Sequence, residues 1–189
     1  MPPTREEFNQ LQKLLYEHQH SAADLTSKLR NQDWQQIGKS VLSGVAASIR
    51  VDIPQKQFLK ILISAGAKSG ASDDYLRFNN VSTGTPYTFI NSGGTARTSQ
   101  NQIDLRDGLN SALGFFAVID VINNLSTLEK SISAQVVNRI AAAGTAQSLY
   151  QIFGTWVNTD AFISRIDLVS SGAATYPANS QILVLSSRE

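Results

Sequence analysis

The chain contains no cysteine, and its only histidines are His18 and His20. The first absence excludes disulfides and thiolate metal sites. The second leaves little for nucleophilic catalysis. Both imidazoles fall in one segment that reads as a helix, where they point to different faces, and no histidine follows to complete a Ser-His-Asp arrangement. Charge is also scarce. Asp, Glu, Lys and Arg make up 16% of the 189 residues with a net charge of +1, against about 25% in an ordinary soluble domain. No Lys/Arg run is present, so nothing steers the chain toward nucleic acid or an anionic membrane. The strongest apolar run, Phe115 to Ile122, is interrupted by Asp120 and is far shorter than the ~20 residues a spanning helix needs. The opening residues Met1-Pro2-Pro3-Thr4-Arg5-Glu6-Glu7 contain no apolar stretch, which predicts a chain without a secretory leader, made in a cytoplasm. Neither G-x-x-x-x-G-K nor G-x-G-x-x-G occurs, so no phosphate cradle and no cofactor are expected.

What remains is 42% hydrophobic, enough for a packed core, with Ser, Thr, Asn, Gln and Gly in place of charge. The length suits one domain and an appendage. Such a surface fits a protein held inside an assembly or one outside the cell.

Residues 4–30 read as one helix. Thr4 with Glu7 forms a capping box, Pro2-Pro3 stops the helix from extending backwards, and Asn31-Gln32-Asp33 closes it. Phe8, Leu11, Leu15, His18, Ala22, Leu25 and Leu29 are spaced 3, 4, 3, 4, 3, 4, a heptad seam across three repeats. These seven residues are the candidate oligomerisation or docking site, and a homotrimer is the expected state. The competing reading is an amphipathic helix packed on its own β domain, which tolerates the same stripe.

From residue 36 onward the period changes to that of strands. Val51 and Ile53 alternate with Arg50 and Asp52, and Phe58–Ile63, Tyr75–Phe78, Tyr87–Ile90 and Gln102–Leu105 follow. Further on come Phe115–Ile122, read as buried on much of both faces, then Ile132–Ile140, Ser148–Val157, Phe162–Val169 and Ser180–Leu185. Eight to ten strands at this spacing predict a β-sandwich or barrel over 36–189, preceded by a helical arm over 1–35.

The carboxylates Asp73, Asp74, Asp104, Asp107, Asp120, Asp160 and Asp167 are the candidates for glycoside hydrolysis, and none stands in a recognisable spacing. Asp73-Asp74 offers a calcium loop without an EF-hand pattern, and turn chemistry is the better account. Trp156 could stack on a sugar, but in a strand it is expected in the core. Neither a catalytic, a cofactor nor a metal site is assigned.

The order of segments carries a resemblance. Ser72-Asp73-Asp74-Tyr75-Leu76-Arg77-Phe78-Asn79-Asn80 leads to Thr83-Gly84-Thr85-Pro86-Tyr87. Near the end stand Ile163-Ser164-Arg165-Ile166-Asp167-Leu168 and Tyr176-Pro177-Ala178-Asn179-Ser180-Gln181-Ile182-Leu183-Val184-Leu185. Over about residues 50–185 this resembles the jelly-roll virion proteins of tailed bacteriophages, in which a D-x-L-x-L-x-F-N-x-D-T-G-x-N-Y-like stretch recurs. It departs at Val81-Ser82, where an acidic residue is common, and at Asn179, where Gly is usual. The resemblance implies a mainly β jelly-roll sandwich and a non-enzymatic virion role. Capsid decoration or cement ranks ahead of neck, baseplate or tail fibre. The implied partners are other copies and virion proteins such as the major capsid protein, with neither nucleic acid nor membrane. A carbohydrate- or receptor-binding module is the next alternative and a glycan hydrolase the last.

Overall fold

The computed structural model describes residues 34–84, 86–91, 94, 96–106, 112–123, 128–138 and 147–187. The helix expected over 4–30 lies outside these residues. The compact β unit is Gln36–Ser186.

Twelve strands make up the described chain: β1 (Trp34–Val41), β2 (Ser48–Asp52), β3 (Phe58–Ala65), β4 (Asp74–Phe78), β5 (Tyr87–Asn91), β6 (Ala96–Gln100), β7 (Ile103–Asp104), β8 (Phe115–Ile122), β9 (Lys130–Asn138), β10 (Leu149–Trp156), β11 (Arg165–Ser170) and β12 (Gln181–Ser187). They form an eight-stranded sheet in the order β1-β12-β3-β8-β9-β10-β5-β6 and a four-stranded sheet in the order β2-β11-β4-β7. Nine of the strand pairs have a defined register, and all nine are antiparallel. The protein is mainly β, a two-sheet sandwich.

Alternation sets the core. Leu59, Ile61, Ile63 and Ala65 of β3, Ala117, Ile119 and Val121 of β8, and Ile132, Ala134 and Val136 of β9 point inward from the large sheet. Ile49 and Val51 of β2, Leu76 and Phe78 of β4, and Ile166 and Leu168 of β11 meet them from the small one, in one continuous cluster. Trp156 is fully buried there, its ring 5.9 Å from Phe78 and edge-on to it.

Three expectations need correction. Strand β8 is buried on one face only. Phe115, Ala117, Ile119 and Val121 are inside, while Phe116 and Ile122 stay more than two-fifths exposed. The strands number twelve rather than eight to ten, because β1 and β6 carry no apolar alternation. Each is an edge strand bonded on one side, and β6 (Ala96-Arg97-Thr98-Ser99-Gln100) buries nothing fully. Third, Asp74 does more than shape a turn: it lies within β4 and is completely buried.

The connections are held by asparagine. Asn79 adopts a left-handed backbone (φ 52°), which Asn tolerates better than most residues. Its Oδ1 accepts from the Ser164 and Arg165 N–H groups at 2.9 and 3.0 Å, and its Nδ2 donates to the Phe162 carbonyl. Asn123, fully buried after β8, donates to the Lys56 and Ile163 carbonyls and accepts from the Ile163 N–H at 2.8 Å. Asn179 sits at φ 66°, so Asn here meets a backbone demand that Gly would also meet.

Candidate functional site

The two sheets present opposite kinds of outer surface. On the four-stranded sheet, Asp167 lies opposite Arg50 on one side and Arg77 on the other. Arg165 donates to Asp167 at 2.7 Å, Arg50 to Asp52 at 2.8 Å, and Arg77 to the Gln102 side chain at 2.6 Å. This face carries a cross-strand row of alternating charge, with the central Asp167 only 3% exposed and the Arg50–Asp52 pair open to solvent.

The eight-stranded sheet does the reverse. Register aligns its outward side chains into rows across the strands. One row runs Leu185, Lys60, Asp120, Ser133, Phe153 and Ile90. The next runs Leu183, Leu62, Val118, Gln135 and Gln151. A third runs Gln181, Ser64, Phe116, Val137 and Leu149, and Phe58 pairs with Ile122 at the other end of the strands. Phe58, Phe116, Ile122, Phe153, Leu149 and Ile90 are each at least 40% exposed. The charges in these rows are Lys60 and Asp120, joined at 2.5 Å. Toward the β1 edge the face dips into a groove of about 260 Å³ lined by Lys39, Leu62, Ser64, Phe116, Gln181 and Leu183. The exposed apolar side chains are interleaved with Ser64, Lys60, Asp120, Gln135 and Gln151, so the face is a concentration of large apolar groups set among polar ones.

The other concentration of chemistry is inside. Asp74 accepts from the Tyr176 hydroxyl at 2.6 Å, from the Lys68 ammonium at 3.0 Å and from the Arg106 guanidinium. Lys68 also donates to the Ser72 carbonyl and hydroxyl, and the Ser72 and Ser170 hydroxyls are 2.7 Å apart. Asp74 and Arg106 are fully buried and Lys68 nearly so. Burial pushes the Lys68 ammonium pKa down, opposed by the Asp74 charge. Burial, then the Asp74 charge, pushes the Tyr176 phenol up. The described partners of the Asp74 carboxylate are side chains of this cluster, and Asp74 is fully buried. Its role is to tie the segment before β4, the segment after β7 and Tyr176 together.

The other candidate carboxylates of the described residues each have at least one partner, Asp160 accepting from the Thr159 hydroxyl at 3.4 Å, while Asp73 Oδ1 and Asp167 Oδ2 are buried with none. Asp73 accepts from the Tyr75 hydroxyl at 3.0 Å, Asp104 from the Arg106 N–H at 3.1 Å, Asp120 from Lys60 and Asp167 from Arg165. Asp107 lies outside the described residues. So do all seven seam residues, Phe8, Leu11, Leu15, His18, Ala22, Leu25 and Leu29. Among the described residues no group of three or more His, Asp or Glu side chains is placed to hold a metal ion. Trp156 lies under Lys130, whose ammonium is 5.6 Å from the ring centroid, and offers no face to a sugar.

Sequence reasoning missed the apolar outer face. Phe116, Val118 and Ile122 were legible as an apolar run, and their alternation with Phe115, Ala117, Ile119 and Val121 was the available signal. Comparison with protein-family models and with curated proteins finds no match for this chain.

Proposed function

We propose that the chain is a non-enzymatic structural protein of a tailed-bacteriophage virion, and within that class a capsid decoration or cement protein acting through protein–protein contacts. The observation that carries the reading is the outer face of the eight-stranded sheet. Its exposed Phe58, Phe116, Ile122, Leu149, Phe153 and Ile90 contrast with the charged row on the back of the other sheet, and a concentration of exposed large apolar side chains marks an interaction site.

The strand order supports the jelly-roll part of the reading. Let β2, β3, β4, β5, β6, β7, β8 and β11 be numbered first to eighth. The small sheet then reads first-eighth-third-sixth. The large one reads second-seventh-fourth-fifth, with the β9–β10 hairpin inserted after the seventh and β12 and β1 added beyond the second. That is the interleaving of two Greek keys in a jelly roll. The engaged carboxylates favour a structural over a hydrolytic role, because none of those described is left as a poised acid–base pair. The buried Trp156 weakens the carbohydrate-binding alternative.

The test is reconstitution. The purified full chain should cosediment with phage capsids lacking it and raise their resistance to heat. Failure to bind capsids, combined with binding to isolated host glycan, would replace the cement reading with a receptor-binding one.

A further inference from the structure

We draw no further inference here: the strongest candidate, the outer face of the eight-stranded sheet with the Lys39-lined groove toward its β1 edge, sets exposed Phe58, Phe116 and Phe153 among polar side chains, and nothing in the structure shows what covers it.

Discussion

Replacing Asp74 with asparagine should be among the most damaging single changes in the β unit, and replacing its neighbour Lys68 with methionine among the mildest in the core. Asp74 is one anion beneath two cations, Lys68 and Arg106, with the Tyr176 hydroxyl as a further donor. All three charged groups are removed from water. Asp74→Asn keeps the shape but removes the carboxylate that both buried cations share, the kind of loss that costs about 3–5 kcal/mol when one partner of a buried pair is removed. Lys68→Met deletes the surplus cation instead. Arg106 and Asp74 then pair one to one, and the methionine stem replaces the lysine stem beside the Tyr176 ring. The lost hydrogen bonds to Ser72 are offset by the removed desolvation penalty, for a net change below about 1.5 kcal/mol. Urea titration followed by circular dichroism reads the difference. A gap of at least about 1.5 kcal/mol separates the two midpoints by about 0.5 M or more, for a slope of about 1–3 kcal/mol per molar. Equal midpoints would refute the charge-imbalance reasoning.

Alkali should unfold the protein through its phenols. Burial first pushes Tyr87 up to about 12, and burial followed by the hydrogen bond to Asp73 pushes Tyr75 up to about 12. Tyr176 is raised as well. A raised phenol favours the folded state while neutral, so this stability is complete below pH ~10 and is lost as pH climbs from ~10 through about 12. For the fully buried Tyr87 the raised pKa is worth roughly 3 kcal/mol. Lys68 acts oppositely, because its lowered pKa adds stability as pH rises toward ~10.4, but the phenols outnumber it. With Tyr16 and Tyr150 replaced by phenylalanine, phenolate absorbance should therefore appear together with loss of the β-sheet spectrum; phenolate formed in that chain while still folded would contradict the burial argument. Gly154→Ala should cost about 1–3 kcal/mol by overpacking, since an added Cβ would stand 2.5 Å from the Thr88 carbonyl oxygen and 2.6 Å from the Phe89 Cβ. An unchanged thermal midpoint would show that β5 can move aside.

The alternation of Phe58–Ile63, Phe115–Ile122 and Ser180–Leu185 was enough by itself to place strands and to predict a β protein, because a two-residue period reports which side chains must leave water. Trp156 could be assigned to the core on the same ground. The edge strands β1 and β6 were not legible, since a strand paired on one side and packed on little leaves no apolar periodicity to read. Nor was the buried cluster. Lys68 and Asp74 stand close in sequence, but Arg106 and Tyr176 lie 32 and 102 residues beyond Asp74, and no local pattern marks a buried charge that is met by partners from distant segments. The apolar face belongs between these cases. Each of its residues was visible as hydrophobic, yet whether Phe116 points into the sandwich or away from it depends on which of two alternating sets the second sheet covers. Only the packing of β2, β4, β7 and β11 against one side of the large sheet decided that, leaving the other side, and the chain's candidate contact surface, to the outside.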